Sequence, residues 1–341
     1  MRAAMILGKE KIGVTQIPDL EPDGKSVIIK TKLAGVTGYD TTLWELGDIT
    51  TETVPGHEIV GTVVNPGPRD DLKEGDRVTV LPLAACMECE LCKSGQENMC
   101  FKNRNTPGKS KTAHGTFSEF FAARPEFVKK IPDRFTDFEG LMLSPAATAY
   151  HMVKEMGVSP GWKVLISGGG IMGALVAMWC KYFGAKYIAV FEKNKTRALN
   201  LMDYGETTKI LDPEDREIID IILSDTRGLN AQFECSGNAR FMNTGILTLR
   251  RNSTIATLAM YKKSAPINFF MLNTKLIRIR PFNAHTPADF DKVAELVSAN
   301  PRKLNLKRYY SASVALNDLQ SVFEELMTDT HKYEKVVINK F

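Results

Sequence analysis

The run Gly168-x-Gly170-x-x-Gly173 follows the compact apolar stretch Val164-Leu165-Ile166-Ser167 and leads into apolar, helix-patterned sequence that reaches Phe183. Few short features restrict a fold so strongly. A strand has to stop, turn within a few residues and enter a helix, and glycine alone tolerates both the turn and the close packing. The spacing predicts a helix that starts near Ala174 and stops at Gly184. A second apolar run, Tyr187 to Phe191, ends in Glu192, nineteen residues after Gly173. Strand, glycine turn, helix and strand make a βαβ unit, whose two strands run parallel.

The alternation continues downstream, with Ala231 to Cys235 as strand, Ala239 to Leu249 as helix and Thr254 to Ala259 as strand. This is the pattern of a doubly wound α/β domain. Such a glycine turn offers backbone N–H groups and a helix N-terminus to a pyrophosphate. Gly168, Gly170, Ile171, Met172 and Gly173 are therefore candidate cofactor-binding residues. A carboxylate at Glu192 accepts hydrogen bonds from both ribose hydroxyls of NAD and repels the 2′-phosphate of NADP. Lys193, Lys195 and Arg197 follow it and soften that preference. The competing reading is a glycine-rich turn without a ligand, beside a solvated Glu192.

The first 150 residues have another texture. Short β-branched runs at Ser26 to Thr31, Ile59 to Val64 and Val78 to Val80 are separated by turns such as Pro66-Gly67-Pro68, and helical patterning is scarce before Asp137. Residues 1–150 are thus expected to form a β-rich domain and 151–285 the doubly wound one. Residues 286–341 end in Val336-Val337-Ile338-Asn339, a strand that is expected to return to the first domain.

Four of the six cysteines fall within fifteen positions, as Cys86-x-x-Cys89-x-x-Cys92 and then Cys100. Four thiolates at this spacing can close a tetrahedron around one Zn²⁺ with no open position, which makes such a site structural. A disulfide pair and an iron–sulfur cluster are the alternatives; a reducing compartment disfavours the first, and the lack of a Cys-Pro tail the second. Cys180 in mid-helix and Cys235 at a strand end read as packed apolar residues. With 44 basic and 40 acidic side chains, the net charge of +4 is too small and too scattered to argue for nucleic acid or a membrane surface. The N-terminus lacks the pattern of a signal peptide, and the longest apolar run, Ile171 to Cys180, is too short to span a bilayer. A cytoplasmic protein is expected.

Six segments, in order, now resemble the zinc-containing medium-chain dehydrogenase/reductase family of alcohol and polyol dehydrogenases. They are Gly56-His57-Glu58 with Ile59-Val60-Gly61, Gly75-Asp76-Arg77-Val78, the four-cysteine lobe, Gly115-Thr116-Phe117-Ser118-Glu119-Phe120, the glycine motif, and Glu234-Cys235-Ser236-Gly237. The resemblance implies an α/β chain with a GroES-like, β-rich catalytic domain, a Rossmann domain with a doubly wound parallel sheet, and an active site in the cleft between them. It also implies a homodimer or homotetramer.

In that family a catalytic zinc is held by a cysteine, the histidine of the glycine-histidine-glutamate signature, and a second cysteine or an acid. The first ligand position here is Thr37, in Thr37-Gly38-Tyr39-Asp40, and the other is Ser144, in Ser144-Pro145-Ala146-Ala147-Thr148-Ala149-Tyr150. Neutral hydroxyls offer zinc far less than a thiolate or carboxylate. His57 and Glu58 remain, so the catalytic zinc is expected to be absent or labile; the alternative is a shifted site completed by Asp40 or Glu58. The proton-relay hydroxyl of the family is Tyr39 here, and the histidine often found beyond it is Thr42.

These departures point to hydride transfer between NAD(H) and a secondary alcohol, polyol or sugar and its ketone. Tyr39 is the expected proton donor or acceptor, beside His57, with Ser144 and Thr148 bordering nicotinamide or substrate. The plainer reading of Tyr39 is an aromatic wall. A metal-free reductase of a polarised C=C or C=N bond and a non-catalytic nucleotide-binding protein are the competing functions. The basic loop with Lys102, Arg104, Lys109 and Lys111, beside His114, raises an anionic small-molecule substrate as a further reading. His285 and His331 are expected to lie outside the site, and His151 reads as packing.

Overall fold

The computed structural model describes residues 1–47, 52–102, 106–108, 110, 113–215, 217–262, 264–328 and 330–341. The first half opens with an antiparallel ribbon of β1 (Arg2–Gly8) and β2 (Lys11–Gln16). β3 (Val27–Gly35), β4 (Glu58–Asn65), β5 (Arg77–Val80), β6 (Phe120–Ala123) and β7 (Val128–Lys130) then supply most of a seven-stranded sheet. Among the described residues, helices α1 (Gly38–Glu45), α2 (Glu90–Lys93) and α3 (Asp137–Glu155) accompany them.

Helix α1 corrects the expectation that helix is scarce before Asp137. No strong apolar stripe announces it. It is set by a capping box, in which Thr37 and Asp40 satisfy each other's backbone N–H groups, and by burial of Asp40 to Trp44. The boundary expected at residue 150 falls inside α3, one continuous helix of 19 residues that starts on the Thr136–Glu139 capping box.

The second half is a parallel sheet. Its strands are β8 (Lys163–Ser167), β9 (Tyr187–Phe191), β10 (Lys209–Leu211), β11 (Leu229–Glu234), β12 (Leu249–Thr257) and β13 (Arg278–Pro281). Helices α4 (Ile171–Tyr182), α5 (Lys195–Tyr204), α6 (Ile218–Thr226), α7 (Ala239–Thr248) and α8 (Phe269–Lys275) connect them. The spatial order β10-β9-β8-β11-β12-β13 reverses direction at β8, and every pairing is parallel. Strand alternation divides β8 between two cores. Val164 and Ile166 join α3 and α4 on one face, while Leu165 joins Phe191, Ile222 and Phe241 on the other.

After α9 (Pro287–Ala299) the chain returns through β14 (Tyr310–Ala315), α10 (Leu319–Leu326) and β15 (Lys335–Lys340). β15 pairs parallel with β14 and antiparallel with β3, matching Val337 to Gly35. The last strand therefore completes the sheet begun by the first hundred residues. No described helix is long and apolar enough to cross a membrane.

Candidate active site

The glycine turn sits at the carboxyl end of β8, where the strand order reverses and an open α/β sheet leaves a crevice. Gly168 has φ +93°, a backbone state that favours glycine. A Cβ at Gly173 would overlap the Gly168 carbonyl oxygen. Helix α4 starts at Ile171, three residues before the expected Ala174, because Gly170 is its N-cap. With no side chain capping it, the first-turn N–H groups of Ile171, Met172 and Gly173 lack intrahelical acceptors and are free to meet an anion.

Glu192 is buried against this turn. Its Oε2 accepts from Gly169 N at 2.9 Å and its Oε1 from Asn194 N at 2.8 Å. Each carboxylate oxygen keeps a further lone pair for a ribose hydroxyl. Arg197 reaches Glu192 at 3.7 Å and also bonds His331, while Lys193 and Lys195 are exposed. Arg197 thus faces Glu192 and the returning C-terminal segment. His331, expected outside the site, lies next to a cofactor-binding candidate.

The cysteine lobe gathers all four sulfurs within 4.8 Å of one another. Cys86 and Cys92 are 3.9 Å apart, Cys89 and Cys92 3.5 Å, and Cys89 and Cys100 3.9 Å. Around tetrahedral zinc with bonds of about 2.3 Å, sulfurs lie roughly 3.8 Å apart. The Glu88 N–H favours the Cys86 thiolate, while burial and the neighbouring sulfurs push Cys92 the other way, so four thiolates here need a cation among them. The four residues fit one zinc ion.

The second metal position does not. Among the described residues the cysteine lobe is the only cluster of three or more His, Cys, Asp or Glu within metal-binding reach. Asp40 is fully buried, and its Oδ2 accepts from Thr37 N at 2.8 Å and from Thr37 Oγ1 at 2.7 Å. Its Oδ1 accepts from Gly56 N at 3.0 Å and stands 3.9 Å from His57 Nδ1, beyond hydrogen-bond range. Glu58 forms a buried ion pair with Lys335, whose Nζ also donates to Val36 O at 3.0 Å. A Cβ at Gly35 would meet the Glu58 carboxylate, so any larger residue there would require the ion pair to shift. Both acids proposed to complete a shifted site already serve as structural partners.

Tyr39 meets His57 edge-on, with ring centroids 6.0 Å apart. Burial, and secondarily the Asp40 charge, raise the Tyr39 phenol above its ordinary value, so it keeps its proton at neutral pH. Thr42, standing where the family often has histidine, donates to Gly38 O at 2.8 Å, one turn back in α1.

On α3, which packs against β3 and β4, Ser144 is 3% exposed and its Oγ lies 3.1 Å from His285 Nε2. Thr148 Oγ1 donates to Ser144 O at 3.3 Å. His285 was expected elsewhere; the loop between β13 and α9 carries it to Ser144. His151 is more than packing, with Nδ1 2.7 Å from Asp289 and Nε2 3.2 Å from Asn98 of the cysteine lobe. The sequence offered no signal for Lys335, His285 or His331, because each finds its partner through the fold.

Lys102 pairs with Glu88 at 2.7 Å, and Arg104, Lys109 and Lys111 lie outside the described residues. His114 lines a cavity of about 340 Å³ with Phe120, Phe121, Arg124 and Phe127 that none of the residues named above as catalytic candidates enters. Cys180 and Cys235 are thiols that burial pushes upward, as packed residues should be.

Comparison with known proteins agrees with this layout. The family described as "Alcohol dehydrogenase GroES-like domain" matches residues 23–133, and "Zinc-binding dehydrogenase" matches residues 172–299. D-xylulose reductase A of Aspergillus niger is 28% identical over 324 residues, covering 91% of this chain and 88% of its own. An Escherichia coli oxidoreductase/dehydrogenase of unknown specificity, involved in membrane biogenesis, is 25% identical with a TM-score of 0.90, covering 100% of this chain and 99% of its own. L-idonate 5-dehydrogenase of Escherichia coli shares the fold at 22% identity and a TM-score of 0.86, covering 99% and 97%. A GroES-like domain joined to a doubly wound parallel sheet with a nucleotide crevice defines an alcohol/polyol dehydrogenase-like oxidoreductase. The chain belongs to the zinc-containing medium-chain dehydrogenase/reductase family.

Proposed function

We propose that this protein interconverts a secondary alcohol, polyol or sugar and its ketone by exchange with NAD(H), without a tightly bound catalytic zinc. The observation that carries the reading is the chemistry of the residues at the positions where the family's ligands, or acids replacing them, would stand. Thr37 and Asp40 cap a helix, Glu58 is paired with Lys335, and Ser144 is a neutral hydroxyl bonded to His285. None of the four is an available anionic ligand. The D-xylulose reductase and L-idonate dehydrogenase relatives support a polyol or sugar substrate.

NADH, which the Gly168–Gly173 turn and Glu192 would hold, would supply the hydride. Tyr39 Oη–H would give its proton to the oxygen of the carbonyl being reduced, the raised phenol value keeping it protonated at rest. His57 packs on the Tyr39 ring and limits its orientation. Glu192 favours NAD over NADP by receiving ribose hydroxyls, and Arg197, turned towards Glu192 and His331, does not reverse that preference. One structural zinc per chain belongs to Cys86, Cys89, Cys92 and Cys100. A reducing cytoplasm keeps those thiols available to the metal.

A second copy of the chain is the partner we propose, as a homodimer or homotetramer. The outer strand β13 is exposed along all four residues, and Phe269, Phe270 and Leu276 just before it are exposed too. An unpaired strand edge beside apolar side chains is costly to leave in water.

The test is NADH oxidation with a panel of ketoses, simple ketones, enones and imines, alongside zinc per chain. Ketone reduction with one zinc per chain is expected, and Tyr39→Phe should lower kcat by about 10²–10⁴. Undiminished turnover in that variant removes the acid role. Activity confined to enones or imines moves the reading to C=C or C=N reduction, and tight NADH binding without turnover to a non-catalytic protein.

A further inference from the structure

We propose that Glu334 makes cofactor binding proton-linked: the ADP-ribose half of NAD(H) binds best to the form in which the Glu334 carboxyl keeps its proton. This rests on the reading above, in which the glycine turn and Glu192 hold the cofactor. The geometry is a junction between α5 and the returning segment just before β15. Asn194, the N-cap of α5, and Arg197 and Asn200 in its first two turns each meet that segment. Asn194 Nδ2 donates to His331 O at 2.8 Å, Arg197 donates to His331 Nε2, and Asn200 Nδ2 donates to Glu334 Oε1 at 3.3 Å. On its other side Arg197 stands 3.7 Å from Glu192 Oε2. A Cβ at Gly170, the N-cap of the glycine turn, would find the Arg197 guanidinium at 3.8 Å. Arg197 therefore stands between the pyrophosphate turn and Glu334.

The junction is left unbalanced. Glu334 is 9% exposed, and its Oε2 is buried with no hydrogen-bond partner among the described residues, as is Arg197 Nε. An unpaired carboxylate oxygen is costly to bury, and a proton removes that cost. The single charge of Arg197 already faces Glu192. The other groups around Glu334 are engaged or neutral. Tyr204 is a phenol that burial keeps protonated, and Ser311 Oγ accepts from Glu334 N at 2.7 Å. Lys335 is held by Glu58, and Arg308, beyond Tyr204, by Glu206. Burial first, with the Glu192 charge, pushes the Glu334 carboxyl up to about 7, against the pull of Asn200 and Arg197. A pyrophosphate at the turn adds negative charge beside Arg197 and raises the proton affinity of Glu334 further. By linkage, the cofactor then binds with uptake of a proton near neutral pH. Its affinity falls as pH rises through about 7 and levels off once Glu334 is ionised in the complex as well.

The experiment follows ADP-ribose binding by calorimetry from about pH 6 to about pH 8.5, in the wild type, Glu334→Gln and His331→Gln. The probe has no group that titrates in this range and no nicotinamide, so a pH dependence belongs to the protein. The wild-type Kd should rise about threefold to tenfold across the range, the size expected for charges partly shielded from one another. Binding heats in MOPS and in Tris near neutral pH should differ by the proton taken up. Glu334→Gln, an uncharged isostere of the protonated acid, should keep the wild type's low-pH affinity at every pH and take up no proton. His331→Gln, which removes the other titrating neighbour of Arg197, should keep the dependence. Should Glu334→Gln fail to fold by circular dichroism, wild-type uptake and His331→Gln decide, and loss of the dependence in His331→Gln overturns the proposal. A wild-type Kd that does not vary with pH overturns it while the cofactor site stands. So does a dependence that survives in Glu334→Gln. A protein that binds neither ADP-ribose nor NADH at any pH overturns the parent reading and this one with it.

Discussion

The four-cysteine lobe and the residues around His57 both stand where the family resemblance expects zinc, and they differ in what their side chains do for one another. In the lobe, four sulfurs lie within 4.8 Å of one another. As thiolates they repel one another unless protons or a shared cation neutralise them. Around His57 the anionic groups already have partners: Asp40 takes three donors from Thr37 and Gly56, and Glu58 holds a buried lysine. Unsatisfied donors invite a metal, and satisfied ones exclude it. Counting histidines and acids near a pocket therefore says little until the partners of each are known.

The double variant Cys92→Ser/Cys100→Ser should produce the largest change. It leaves two thiolates, one fewer than a tight zinc site needs, and zinc per chain should fall from one towards none by elemental analysis. Structural zinc contributes on the order of 10 kcal/mol in small zinc-finger peptides, so the lobe should open locally and become protease-sensitive between Cys86 and Cys100. The comparison between the two places breaks if the zinc stays, because the metal would then have to sit elsewhere, with His57 the first suspect.

How much of this was legible in sequence follows from the distance over which each feature is built. The glycine turn and the cysteine lobe are local, and their chemistry is written in spacings of a few residues. The strands Tyr187–Phe191 and Val78 to Val80 were readable from β-branched and apolar runs bounded by turns. Helix α1 was missed because a capping box and burial form it, without an apolar stripe. His285 bonds a serine 141 positions away, and Lys335 reaches Glu58 from the last strand, so neither contact leaves a trace in local pattern. The missing ligands at Thr37 and Ser144 were visible only through family resemblance; what those hydroxyls do instead required the fold.

Lys335→Met sharpens the comparison at the His57 end. The lysine is 1% exposed, and removing it leaves the Glu58 carboxylate buried without a counter-ion. Breaking one half of such a pair costs about 3–5 kcal/mol, measurable as a shift in the denaturant midpoint. Adding Glu58→Gln should recover much of the loss, since the uncompensated charge is what destabilises. If Glu58 instead serves a metal, Lys335→Met should free it to bind, and zinc per chain would rise from one towards two.

Thr37 gives the smallest effect and the finest discrimination. As an N-cap its hydroxyl accepts from Asp40 N at 3.4 Å and donates to the Asp40 carboxylate at 2.7 Å, so Thr37→Ala should cost about 1 kcal/mol in thermal or chemical unfolding. Thr37→Ser should retain most of that stability. Thr37→Cys supplies a thiolate where the family has one, yet with Glu58 and Asp40 engaged it adds only one donor to His57. Zinc should remain at one per chain in that variant. With Ser144→Cys added there are three anionic or imidazole donors, the minimum for a catalytic zinc site, and a second zinc should bind. A second equivalent appearing with Thr37→Cys alone would show that Asp40 or Glu58 leaves its partner more readily than the buried hydrogen bonds imply.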